Sequence, residues 1–222
     1  MDDPTNVVLR IVVNAIPLIL AITLHEAAHG YVARMHGDNT AYMMGRVTLN
    51  PAKHIDPIGT IVFPLISLVL GGIFFGWAKP VPVNFNNLRH PKRDMFWVAA
   101  AGPGSNIVQA LAWGLVAKII DMTGSSSGVA EFWFAVSVAG ISWNVVLAIF
   151  NLFPILPLDG GRIVTSLLPN RLAYSYSRLE PYGMPILISL IILMAAWRPL
   201  GMAFSMLLQG ANQLIYSLFG LQ

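Results

Sequence analysis

The chain has 222 residues, of which 56% are hydrophobic and only 10% charged, whereas a soluble domain carries roughly 25% charged residues. The apolar residues fall in long blocks, so one membrane-embedded unit covering 1–222 is expected. The net charge of +3 comes from basic residues lying between those blocks, which argues against a nucleic-acid partner, and the lack of cysteine excludes disulfides, thiolate catalysis and Cys-ligated metal. Any metal must therefore be held by His and carboxylates.

The chain starts Met1-Asp2-Asp3-Pro4, an acidic opening unlike the basic n-region of a cleavable signal peptide. A bilayer-spanning helix needs about 20 mainly apolar residues. That ruler gives six blocks, roughly Val7 to Met35, Ile58 to Trp77, Met95 to Ile120, Ala130 to Pro154, Met184 to Trp197 and Leu200 to Phe219. The expected fold is an all-α polytopic membrane protein with about five or six embedded helices, one of them re-entrant. The last two blocks, separated by Arg198-Pro199, form a tight hairpin or one broken helix. The segments Gly45 to Pro51 and Lys79 to Phe85 are β-favouring and bounded by Pro and Asn, so short strands at the membrane surface are predicted there.

Lys and Arg set orientation. If every block crosses, the basic loops are split between the two sides. If the block from Ile58 to Trp77 dips in and returns, ten basic residues share one face, namely Arg34, Arg46, Lys53, Lys79, Arg89, Lys92, Arg93, Arg162, Arg171 and Arg178. That block also holds Pro64, Gly71, Gly72 and Gly76, which suit a broken path buried against protein. The re-entrant reading is preferred.

The chemistry begins at His25-Glu26-Ala27-Ala28-His29. Helical residues i and i+4 lie one turn apart on one face, so two imidazoles can reach one ion. Glu26 is turned by about 100° from His25, beside the metal, where it can accept a proton from attacking water. This is the logic of the H-E-x-x-H motif in metalloproteases. With this composition a chance match has a probability of roughly 0.2%. The competing reading is a hydrogen-bonded His–Glu cluster that merely ties helices together.

A catalytic zinc site needs a third protein ligand and an open position. His36, His54, His90 and the carboxylates are the candidates. Asp159 stands out, because it follows an apolar helix interrupted by Pro154 and Pro157 and precedes Gly160-Gly161. It could equally be a turn residue or an N-cap. His29 and Asp159 lie near the C-terminal ends of the first and fourth blocks, so they can share an ion only if those ends are on one side. Three crossings between them forbid this, and a re-entrant second block permits it.

Several spaced motifs in order resemble the site-2 protease family of intramembrane zinc metalloproteases: His25-Glu26-Ala27-Ala28-His29-Gly30, Gly45-Arg46-Val47-Thr48-Leu49-Asn50-Pro51, Ala101-Gly102-Pro103-Gly104-Ser105-Asn106, and Asn151 through Leu158-Asp159-Gly160. The resemblance implies one Zn²⁺ per chain, held by His25, His29 and Asp159, with Glu26 as general base. It implies that Asn151 helps bind substrate or the developing oxyanion, and makes Asn106 a weaker candidate for substrate contact, interhelical packing and hydrogen bonding around small residues being at least as good a reading of it. No PDZ or CBS module is visible, so a compact member is expected, with a zinc-binding core over about 7–165 and C-terminal helices over about 183–219. The implied partners are transmembrane protein substrates and membrane lipid, and the implied setting is a prokaryotic cell membrane with the site towards the cytoplasm. The extended segments near Val47 and Val83 would hold unwound substrate by β-addition. The rival reading is an ion or solute transporter using the intramembrane His, Glu and Asp, which predicts charged groups scattered over several helices.

Overall fold

The computed structural model describes residues 4–56, 59 and 79–221. Among them are α1 (Pro4–Met35), α2 (Thr40–Met43), α3 (Pro91–Met122), α4 (Gly128–Asn151), α5 (Asp159–Leu167), α6 (Asn170–Ser177), α7 (Gly183–Ala196) and α8 (Arg198–Phe219). The expected re-entrant block, Ile58 to Trp77, lies outside the described residues apart from Gly59.

Three stretches are long and apolar enough to cross a membrane: Val7–Met35, Gly128–Asn151 and Asn170–Ala196. The chain is accordingly a membrane protein of helical architecture. Of the five or six embedded helices expected from the blocks, three meet this measure among the described residues. Helices α3 and α8 are long enough but fall short on composition. The inner face of α3 is built of Val98, Gly102, Asn106, Ala110 and Gly114, small or polar residues that allow close helix approach rather than meet lipid. The third stretch is broken, with a 3₁₀ turn over Glu180–Tyr182 between α6 and α7. Trp197, in extended conformation, then separates α7 from α8. Helix α8 packs Ile215 beside Ala110, Ile141 and Val145 in one apolar cluster. Outward-facing Val8, Ile11, Ile19, Val108, Leu115, Ile119 and Ile192 remain exposed, the apolar surface that a bilayer would cover.

Helices α1, α3 and α4 form the core, and their contacts fix direction. Going down α1 from His29 to His25, the partners on α3 rise from Val98 to Asn106, so the two run antiparallel. Asn106 meets Asn144, and a Cβ on Gly140 would meet the Trp113 ring, so α3 and α4 are antiparallel too. Helices α1 and α4 therefore point the same way, and Trp143 Nε1 donates to Asn14 Oδ1 at 3.0 Å between them. The C-terminal end of α1 and the residues after α4 share one end of the bundle, as a metal common to His29 and Asp159 requires.

No β-strand occurs among the described residues, which corrects the strands expected at 45–51 and 79–85. The physical reason is that side chains satisfy this backbone in place of a ladder. Arg46 Nη2 donates to the carbonyls of Lys79 at 2.9 Å and Pro80 at 3.2 Å. Asp38 Oδ2 accepts from the Asn84 N–H at 2.7 Å, and Pro80 and Pro82 have no N–H to offer a neighbour. The first segment turns at Gly45, with φ of 63°, and enters a 3₁₀ turn over Pro51–Lys53. The Lys79 N–H donates to the His54 carbonyl at 2.9 Å, so the residues flanking the undescribed stretch meet.

Asp38 sits where α1 gives way to this surface layer. Gly37, with φ of +111°, turns the chain in a conformation disfavoured for other residues. Asp38 is fully buried and also accepts from Thr40 N–H, Thr40 Oγ1 and Asn87 Nδ2. Burial pushes its carboxyl upward, but the hydrogen bonds from Thr40, Asn84 and Asn87 outweigh that and hold it below its ordinary value. The segment from Val81 to Leu88 is thereby fixed against α1, with Leu88 packed on Ala33 and Val98.

Candidate metal centre

His25 and His29 lie one turn apart on α1, with Nε2 atoms 3.1 Å apart. Asp159 Oδ2 lies 3.2 Å from His25 Nε2 and 3.3 Å from His29 Nε2. The far side of each ring is already committed. His25 Nδ1 lies 2.6 Å from Asn106 Oδ1, and His29 Nδ1 lies 2.7 Å from the Val98 carbonyl. Those oxygens can only accept, so each Nδ1 carries the proton and each Nε2 presents a lone pair. Asp159 Oδ2 is buried with no hydrogen-bond donor. Three electron-pair donors thus face one another with no proton between them, an arrangement that a cation relieves. Ligand bonds of 2.0–2.2 Å to tetrahedral zinc imply ligand–ligand edges of about 3.3 Å, and the three separations match. These residues could hold one metal ion.

Local sequence accounts for Asp159. Leu158 occupies the N-cap of α5 and Asp159 is the first helical residue, so the N-cap alternative does not hold. A Cβ at Gly160 would meet the carbonyls of Leu152 and Phe153, and one at Gly161 the backbone of Ile155 and Leu156. Only glycines allow α5 to start this close to the preceding turn. Tyr176 Oη donates to the Pro154 carbonyl at 2.8 Å and braces that turn.

Glu26 Oε2 accepts from the Val81 N–H at 2.8 Å, so the surface segment tied by Arg46 and Asp38 also holds the carboxylate. The other ligand candidates are elsewhere. His54 Nε2 donates to the Thr48 carbonyl, while His36 and His90 flank buried Asp94. Asn151 Nδ2 donates to the Leu147 carbonyl of its own helix at 2.9 Å and is not hydrogen-bonded to the triad. Asn106 is fully buried, and its amide is engaged by His25, Ala21 and Asn144.

Four participants escaped the sequence reading: the Val81 N–H, the Val98 carbonyl, Gly102 and Asn144. Val98, Gly102 and Asn106 recur every four residues, so they share one face of α3. That period was the available signal for Gly102. A Cβ there would stand 2.6 Å from His25 Cε1 and Nε2, and would also meet His29 Nε2.

The sequence pattern described as Peptidase family M50 matches residues 113–194, a span that includes Asp159. YwhC of Bacillus subtilis, named as a candidate zinc metalloprotease, is 39% identical over 183 residues, which cover 80% of this chain and 78% of that protein. The chain belongs to peptidase family M50. The site-2 protease resemblance is therefore borne out. Two further relatives, also named as zinc metalloproteases, are longer. Rip2 of Mycolicibacterium smegmatis is 29% identical over 78% of this chain, which spans 64% of it. Rip3 of Mycobacterium tuberculosis is 27% identical over 71% of this chain, which spans 31% of it. No solved structure gives a significant match.

Proposed function

We propose that this chain is an intramembrane zinc metallopeptidase that hydrolyses peptide bonds in or near the transmembrane segments of other proteins. The observation that carries the reading is the triad of lone pairs from His25, His29 and Asp159 at tetrahedral edge lengths, with Glu26 the next residue after His25 in the chain. Family membership supports hydrolysis over the transporter alternative. When bound, Zn²⁺ supplies a Lewis acid that polarises a carbonyl and acidifies water. The two histidines and Asp159 hold it. Glu26, kept in place by Val81 through Oε2, takes the proton of the attacking water and delivers it to the leaving amine nitrogen. Asn151 has one amide hydrogen spent on Leu147 and a second left to donate to an oxyanion.

The test is cleavage of single-span substrates by purified protein. Activity is expected to vanish on chelation and return with one equivalent of zinc. Asn151→Ala should lower kcat with zinc content unchanged. A chelated protein that still cleaves sinks the zinc reading, and an Asn151→Ala variant as active as the parent sinks that residue's role.

We also place the site on the cytoplasmic side of a prokaryotic cell membrane. The basic loops around Arg46, Lys79, Arg93 and Arg162 lie towards the triad's end of the bundle, where Arg46 bonds Lys79 and Val81 bonds Glu26, which supports that side as the cytoplasmic one. The chain has no cysteine, so single introduced thiols report topology directly. Asn86→Cys should be labelled only from the cytoplasm and Ser126→Cys only from outside. The reverse pattern would invert the assignment.

A further inference from the structure

We propose that Asn144, through Asn106, is a positioning residue for the metal centre, the end of a buried amide relay that holds His25 in its ligating form. The inference rests on the reading of His25 as a ligand. Each link has a defined polarity. Asn144 Nδ2 donates to the Gly140 carbonyl of its own helix at 2.8 Å, which leaves Asn144 Oδ1 as an acceptor. Asn106 Nδ2 donates to that oxygen at 2.8 Å and to the Ala21 carbonyl at 3.3 Å. With its nitrogen so used, Asn106 Oδ1 must face His25 Nδ1, at 2.6 Å.

Reversing the Asn106 amide would set its NH₂ against the protonated Nδ1 and its oxygen against two acceptors. The relay therefore selects one amide orientation and, through it, the tautomer with the lone pair on Nε2. Both asparagines are fully buried. The relay also spans all three core helices: α4 supplies Asn144, α3 supplies Asn106, and α1 supplies Ala21 and His25. The metal ligand is thus referenced to the bundle as a whole.

The discriminating variants act on different halves of Asn144. In Asn144→Ser the hydroxyl can still bond the carbonyl four residues back, but it is too short to reach Asn106. Asn144→Asp keeps an acceptor where Asn106 needs one. Ser137→Ala removes another fully buried polar group of α4, whose hydroxyl donates to the Trp133 carbonyl of its own helix, and serves as the control.

Zinc affinity is measured by competition with a chelator, alongside thermal melting of the metal-free proteins. Asn144→Ser should bind zinc about 10- to 100-fold more weakly, with Asn144→Asp near the parent and Ser137→Ala unchanged. Parent-like affinity in Asn144→Ser would overturn the relay while leaving the zinc site intact. Equal losses in Asn144→Ser and Ser137→Ala would also overturn it, as general loosening. A parent protein that binds no zinc would instead remove the underlying site assignment.

Discussion

Glu26→Gln is expected to retain its zinc and lose cleavage. The amide keeps an oxygen that can accept from Val81, where Oε2 now lies 2.8 Å from the backbone nitrogen, so the side chain should stay in place. What it loses is the ability to take a proton. General-base contributions run to about 10²–10⁴ in rate, or about 3–5 kcal/mol of barrier. Turnover of a single-span substrate should fall by that factor, with metal content by elemental analysis and KM close to the parent values. Full activity in this variant would refute the assigned mechanism, whatever the metal content.

The second large effect is expected at Gly102. By helix propensity alone, Gly→Ala in a helix interior stabilises by about 1 kcal/mol. Here the new methyl would sit 2.6 Å from His25 Nε2 and against His29, in the space where both ligands converge. Relief requires the imidazoles to turn away, which breaks the bonds of His25 to Asn106 or of His29 to Val98. Overpacking costs of about 1–3 kcal/mol correspond to about 5- to 150-fold in metal affinity. Gly102→Ala should therefore bind zinc far more weakly, while the metal-free protein melts close to or somewhat below the parent, since the helix gain offsets only part of the broken buried hydrogen bond. A variant with parent-like zinc affinity would show that this face of α3 does not confine the site.

The two histidines were legible because their geometry is local: a spacing of four on a helix puts both on one face wherever that helix packs. Asp159 was legible for a different reason. Two prolines and two glycines advertised a broken helix, and a carboxylate on such a break needs a purpose. The parallel course of α1 and α4 also followed from requiring that Asp159 meet His29.

The failures share a cause. Val81 and Val98 act through their backbone amide and carbonyl, which carry no side-chain signature. The segment around Pro80 and Pro82 has strand-like composition, but Arg46 and Asp38 satisfy its backbone, and that depends on partners dozens of residues away. Asn106 was open to two readings, substrate contact or hydrogen bonding between helices, since a buried asparagine can serve either until its neighbours are known. Helix α3 combines an apolar outer face with a small, polar inner one, so its hydropathy alone does not mark it as a span.

The hold on Glu26 has a consequence for how this protein can vary. The donor is a main-chain amide, so nineteen of the twenty amino acids at position 81 would supply it, and only proline would remove it. In the run Pro80-Val81-Pro82, the middle residue carries the sole N–H. Two ring-locked neighbours narrow the paths that amide can take, so its aim is written into the chain rather than entrusted to a side chain. The Glu26 carboxylate is thereby shielded from most single substitutions at its own partner. The vulnerable points lie instead at Arg46 and Asp38, the side chains that anchor the run from outside.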